Sequence, residues 1–184
     1  VRGYLTEDDR YLVISASTST SGNKLFIKDL TNDSEKLKTI VDHFDSDTYV
    51  VKNSQHKLYL VTNFNAPNKK LVTVDANDPS QEHWKDLIPE TEHVLNLNSG
   101  AGYFFAEYMV DAISQVKQYD MNGKLVRDIA LPGVGTASGF SGKVKESTLY
   151  YSFTNYNTPS VSYSFDVANG ESTIYRKSGA PFNS

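Results

Sequence analysis

The stretch Tyr103-Phe-Phe-Ala-Glu-Tyr-Met-Val-Asp-Ala-Ile-Ser-Gln-Val-Lys-Gln-Tyr-Asp120 carries two marks. An apolar run, Tyr103-Phe-Phe105, opens it, and an alternating segment from Val116 closes it on Asp120. Both marks recur along the chain, and recurrence at a fixed period is the signature of a repeat architecture. The apolar run returns as Tyr11-Leu-Val-Ile14, Lys57-Leu-Tyr-Leu60 and Leu149-Tyr-Tyr-Ser152. With Leu12, Leu58, Phe104 and Tyr150 taken as equivalent, successive copies lie 46, 46 and 46 residues apart. The second mark returns as Leu25 to Asp29, Leu71 to Asp75 and Val161 to Asp166, and its aspartates lie 46, 45 and 46 apart.

Within a unit the pattern is that of short strands. Leu25-Phe-Ile27 and Val161-Ser-Tyr-Ser-Phe165 alternate, which turns one face inward. Asp120-Met-Asn-Gly123 and Asp166-Val-Ala-Asn-Gly170 break the runs, and both Asn-Gly pairs read as tight hairpin turns. No stretch sustains a helical period. The third unit is predicted to hold strands at about 93–98, 102–108, 114–120 and 124–131. A four-stranded antiparallel unit repeating every ~40–50 residues is a propeller blade. The expected fold is therefore all-β: four consecutive blades at about 1–42, 46–88, 92–131 and 135–176, with 178–184 as a linker tail. Two β-sandwich domains in tandem would not give four near-equal units.

Composition agrees. The chain has 184 residues, 39% hydrophobic and 12% aromatic, with 12 Tyr and 9 Phe, a balance that favours strands. A chain of this size buries roughly 70% of its unfolded surface, so it needs no covalent staple. It has no cysteine, which excludes a disulfide scaffold and a cysteine metal site and fits a reducing compartment. Net charge is 18 − 22 = −4 with both signs scattered, so no basic face for nucleic acid is expected. No apolar run approaches the ~20 residues of a membrane span. No signal peptide opens the chain, although a start at Val1 suggests a piece of something longer. Cytoplasm and periplasm both remain compatible.

Candidate chemistry is sparse. The nearest match to the nucleophile elbow G-x-S-x-G is Gly139-Phe-Ser-Gly-Lys143, which ends in Lys143 and precedes a strand. Ser141 is read as part of an inner-strand loop, not as a nucleophile. His43, His56, His83 and His93 lack the paired helical spacing of a zinc site. Three of them sit beside turns, and His93 is placed on an innermost strand facing a channel. Asp42-His-Phe-Asp-Ser-Asp47 lacks the glycine and distal Glu of a calcium loop, so it reads as a solvated connection. Thr6-Glu-Asp-Asp9 reads as a turn. Asp29, Asp75, Asp120 and Asp166 read as turn formers, because Asp caps the backbone two residues on. Trp84 is assigned to outer-strand packing, and Asn32-Asp-Ser34 is given no weight as a glycosylation triplet. No metal or cofactor is expected.

Three segments resemble the prolyl oligopeptidase family. They are Thr62-Asn-Phe-Asn-Ala-Pro-Asn68 with Val72-Thr-Val-Asp75, Asp78-Pro79, Trp84-Lys85 and Ile88-Pro-Glu90; Leu131-Pro-Gly-Val-Gly135 with Gly139-Phe-Ser-Gly142; and Leu149-Tyr-Tyr-Ser-Phe-Thr-Asn155 with Thr158-Pro159. The resemblance implies the last four blades of a seven-bladed propeller that caps an α/β-hydrolase domain. That partner domain would supply Ser, His and Asp for cleavage of short peptides after proline. The propeller would exclude folded proteins, whose radius of gyration is ~13 Å for 100 residues. It also implies that the polar loop Ser15-Ala-Ser-Thr-Ser-Thr-Ser-Gly-Asn23 faces the hydrolase, with Ser17 and Thr20 near bound peptide. The family often has a basic residue there, and this loop has none before Lys24. The competing reading is a free-standing propeller that binds protein or carbohydrate. Four blades taken from seven would leave two apolar blade faces open, so self-association is expected.

Overall fold

Strands form where apolar residues alternate and stop where aspartate, asparagine and glycine take over. The computed structural model describes residues 1–32 and 34–177. The expected tail, 178–184, lies outside them.

Sixteen strands are found among the described residues, in four antiparallel sheets whose strands follow chain order. The first sheet is β1 (Arg2–Leu5), β2 (Tyr11–Ala16), β3 (Lys24–Asp29) and β4 (Lys38–Val41). The second is β5 (Thr48–Ser54), β6 (Lys57–Thr62), β7 (Lys70–Asp75) and β8 (Lys85–Ile88). The third is β9 (Asn96–Gly100), β10 (Tyr103–Val110), β11 (Ile113–Tyr119) and β12 (Leu125–Asp128). The fourth is β13 (Thr136–Ser141), β14 (Thr148–Asn155), β15 (Thr158–Asp166) and β16 (Ser172–Lys177). Helix is limited, among the described residues, to a 3-10 turn at Gln81–His83. Each sheet is a propeller blade, as the repeat predicts.

Contacts divide the chain into two units, one of Val1–Val94 and one from Leu95 on. In the first, Tyr11, Val13, Leu25 and Ile27 of the first sheet pack on Val50, Leu58, Leu60 and Val72 of the second, with Trp84 against the edge of the cluster. Trp84 lies just ahead of the outer strand β8, and its indole N–H donates to Pro79 O at 3.0 Å. In the second unit, Phe105 of the third sheet meets Phe140, Leu149, Tyr151 and Phe165 of the fourth. Phe140 stacks on Tyr151 at 4.4 Å and on Phe105 at 5.4 Å between ring centroids. Burying each such ring contributes up to ~3 kcal/mol.

All four aspartates behave as predicted. Asp29, Asp75, Asp120 and Asp166 each accept the N–H two residues on, from Thr31, Asn77, Asn122 and Ala168, at 2.8–2.9 Å. Asp120 Oδ1 also accepts from Lys124 N at 2.9 Å, and the turn closes with Gly123 at φ 78°.

Three sequence-based placements are corrected. In the fourth sheet Thr148 pairs with Asp166, just as Tyr11 pairs with Asp29 and Lys57 with Asp75. The residue after each is the true equivalent, so Leu149 and not Tyr150 matches Leu12, Leu58 and Phe104. Leu149 is 0% exposed and Tyr150 is 50% exposed, because a one-residue slip exchanges the two faces of a strand. His93 lies in a bend ahead of β9, not on the strand. Ser141 ends the strand β13 itself, where a bulge at Gly139–Ser141 turns Phe140 into the core at φ 60°.

Candidate functional site

The loop singled out by its composition, 17–23, joins β2 to β3. Ser17 and Thr20 are both exposed on it, as are Thr18, Ser19 and Ser21. Ser19 Oγ donates to Ser21 O at 2.9 Å, and Ser21 N returns a longer bond to Ser19 Oγ at 3.4 Å. The tip is thus a neutral surface of hydroxyl groups. Hydroxyls both donate and accept, which suits the N–H and C=O groups of an extended peptide.

The base of the loop is rigid. Gly22 has φ +77°, and a Cβ there would lie 1.7 Å from Phe44 O. Its N–H donates to Asp47 Oδ1 at 2.8 Å. Asn23 follows with three bonds to the connection between the first two sheets. Its N–H reaches Ser46 O at 3.0 Å, its Nδ2 reaches Thr48 O at 2.9 Å, and its Oδ1 accepts from Thr48 N at 2.8 Å. The neighbouring loop 63–69 joins the same platform, since Asn63 Oδ1 accepts from Asp47 N at 2.7 Å. It reaches on through Asn68 N to Glu90 Oε1 at 2.6 Å. These anchors were missed from sequence. The signal available was Gly22-Asn23 at the end of a hydroxyl-rich loop, a pair suited to a left-handed turn followed by a side chain that mimics a peptide.

The nearest cation, Lys24, is already engaged. Its Nζ lies 2.7 Å from Asp42 Oδ1 and 5.3 Å from the centre of the Phe44 ring. The Lys24 hydrogen bond and charge hold the Asp42 carboxyl below its usual range. The connection 42–47 therefore serves as structure: Asp42 binds Lys24, Asp47 binds Gly22, and His43 lies beside Gln81 and Phe64.

At the opposite end of the same unit lies an open cleft of about 740 Å³ lined by His56, Lys57, Asp75, Asp78, His83 and Trp84, among others. Its histidines are engaged as well. His83 Nδ1 sits 2.7 Å from Asp78 Oδ2, and His56 lies 3.3 Å from Arg10 Nη2 and from Tyr11 Oη. No group of three metal-ligating side chains exists among the described residues. Ser141 Oγ donates to Asn98 Oδ1 at 3.1 Å rather than to a histidine. No helix among the described residues is long and apolar enough to cross a membrane.

Comparison with known proteins adds what the geometry alone does not. The family model for the prolyl oligopeptidase N-terminal β-propeller domain matches residues 1–178. The chain is 51% identical over 183 residues to a prolyl endopeptidase of Elizabethkingia meningoseptica, covering 100% of this chain and 26% of that protein. It is 31% identical over 153 residues to a prolyl endopeptidase of Dictyostelium discoideum, covering 77% of this chain and 20% of that protein. A solved prolyl endopeptidase superimposes with a TM-score of 0.91 at 29% identity, covering 99% of this chain and 27% of that one. The chain thus spans about a quarter of the length of the curated relatives it matches. With four repeated blades and a family match over residues 1–178, the chain belongs to the prolyl oligopeptidase family, as part of its N-terminal β-propeller domain.

Proposed function

We propose that the chain is the substrate-gating, non-catalytic portion of a serine endopeptidase that hydrolyses short proline-containing peptides. The single observation that carries this is the match of residues 1–178 to the peptidase family's propeller domain. In this reading an α/β-hydrolase domain of the same parent chain supplies the acyl-transfer chemistry. The propeller keeps folded proteins out and keeps bulk water away from the bond being cut.

The peptide-facing surface is the loop 17–23. Ser17 and Thr20 offer hydroxyls to the backbone of an entering peptide, while Gly22 and Asn23 hold the loop to its platform. With Lys24 occupied by Asp42, a terminal carboxylate of the peptide gains no charge partner here. The loop then selects by shape and backbone hydrogen bonding rather than by charge.

The test is turnover of a Gly-Pro chromogenic peptide by the intact protein and by residues 1–184 alone. The intact protein is expected to turn over and the shorter chain to give none above an inactive-host control. Turnover by residues 1–184 alone, or none by the intact protein, defeats the assignment. In the intact enzyme, removing both hydroxyls (Ser17→Ala with Thr20→Val) should raise KM several-fold at nearly constant kcat.

A further inference from the structure

Two buried polar side chains occupy the same place in the two units. Each stands next to the first residue of a third strand, or one position inside it, and each reaches the first strand of the following sheet. In the first unit Asn23 N–H donates to Ser46 O at 3.0 Å, and the Asn23 amide exchanges two bonds with the N–H and C=O of Thr48. In the second unit Ser114 N–H donates to Gly135 O at 2.9 Å, and Ser114 Oγ accepts from Ala137 N at 3.0 Å. The register confirms the equivalence. Thr48 pairs with Thr62 and Ala137 with Phe153, each five positions beyond the residue opposite the turn aspartate.

The two side chains do not have equal capacity. A primary amide carries a separate donor and acceptor, so Asn23 satisfies both groups of Thr48. A serine hydroxyl has one hydrogen. Ser114 Oγ is 3.4 Å from Ala137 O and 3.0 Å from Glu107 Oε1, so that hydrogen goes mainly to the carboxyl. Glu107 is itself buried on β10, 7% exposed, and its other oxygen accepts from Asn96 Nδ2 at 3.4 Å. Asn96 lies on β9, so Glu107 ties β9 and β13, the first strands of two successive sheets, into one network. At the other end of these strands the tie is made by backbone: Gly142 N donates to Ser99 O at 3.1 Å and Ala101 N to Lys143 O at 3.0 Å.

We propose that Asn23 and Ser114 are one sheet-to-sheet latch, built twice, and that Glu107 is the positioning residue that orients Ser114 in the second copy. The latches set the stiffness of the inner strands, and their bearing on peptide entry rests on the gating reading above.

In the second latch the hydroxyl's partner, Glu107, is an ionisable group, whereas the Asn23 amide that makes the first latch does not ionise. From β9 Glu107 faces Asn96 and from β11 Ser114 and Val116, and Ser114 in turn meets Ala137 of β13; none of these ionises. Tyr108 and Lys117 have the opposite parity and point to the other face, Lys117 being paired with Asp128, and Asp111 is exposed in the turn. Burial raises the Glu107 carboxyl above the ordinary 4.5, with the Ser114 and Asn96 bonds opposing in part. A carboxyl raised in the folded state contributes its stability in full below 4.5 and loses it as pH rises through the raised value. The third–fourth sheet seam therefore tightens as pH falls through that window.

Hydrogen exchange on the intact protein, corrected for intrinsic rates, tests this. Ser114→Ala is expected to speed exchange about 10-fold at Ala137 and not at Thr48, and Asn23→Ala the reverse. Glu107→Gln, which still accepts from Ser114, should keep Ala137 protected while abolishing the pH dependence there. Glu107→Ala should lose the protection. Wild-type protection at Ala137 in Glu107→Ala, or a pH dependence that persists in Glu107→Gln, overturns the proposal. These readings do not depend on peptidase turnover, so a failure of the gating assignment would leave them standing.

Discussion

A methyl group on Gly22 would press into the Phe44 carbonyl, and the backbone there is left-handed. Gly22→Ala is expected to cost about 2 kcal/mol, since left-handed strain alone runs to ~1–3 kcal/mol. Thermal denaturation checks the stability loss. Looser packing of loop 17–23 should accompany it as faster exchange at Asn23. A second residue-scale case is Asp29. Its burial would raise the carboxyl, yet the Thr31 hydroxyl and N–H and the Arg10 guanidinium, at 2.9 and 3.1 Å, outweigh that and hold it at about 2. A depressed carboxyl contributes stability above its ordinary 3.8 that is lost as pH falls towards about 2. Asp29→Asn should lower stability at neutral pH by about 2 kcal/mol and flatten the acid limb of the urea-midpoint profile. An unchanged acid limb would refute the assignment. The role of Asp29 as a turn former was legible in sequence. Its pairing with Arg10 was not, because the two residues meet only once β2 and β3 are in register.

Among the elements, the strands closest to a sheet's free edge must satisfy backbone groups without a neighbouring strand. β5 shows how: a bulge between Val50 and Lys52 shifts its register on β6, and the Tyr4 hydroxyl of β1 bonds both Val50 O and Val50 N at 3.1 Å. Tyr4→Phe leaves those two groups without that partner and is expected to cost roughly 1–2 kcal/mol in a chemical-denaturation series. Strand existence and the turn chemistry between strands were readable from alternation and from Asp, Asn and Gly. The equivalence of Leu12, Leu58 and Phe104 was readable from the repeat, and the fourth copy was placed one residue late. Leu149 and Tyr150 are both apolar neighbours, and only the pairing of Thr148 with Asp166 decides between them. Glu107 is the other element-scale omission. A lone acid inside Tyr103-Phe-Phe-Ala-Glu-Tyr108 was the available clue, but its partner Ser114 sits across the hairpin and Ala137 on another sheet.

For the molecule as a whole, apolar surface remains uncovered on sheet faces. On the fourth sheet Tyr150 and Tyr175 are 50% and 65% exposed, with ring centroids 4.8 Å apart. On the first, Leu5 is 49% exposed and shares its face with the half-buried Leu12. Contiguous exposed apolar surface drives association. Residues 1–184 in isolation should therefore self-associate with rising concentration in sedimentation velocity. Tyr150→Lys with Tyr175→Lys should weaken that association about 10-fold or more. A monomer at every concentration would mean that these faces do not drive contact.

Periodicity, turn chemistry and the all-β class follow from local chemistry: a strand's alternation and an aspartate's reach to the N–H two residues on are properties of a few consecutive residues. The 46-residue repeat made the number and kind of sheets readable before any coordinate. The tertiary structure alone decided which face of the fourth sheet is buried, where Asn23 and Ser114 latch, and that Glu107 lies out of water. Each of these depends on groups far apart in sequence, brought together only when one sheet packs on the next.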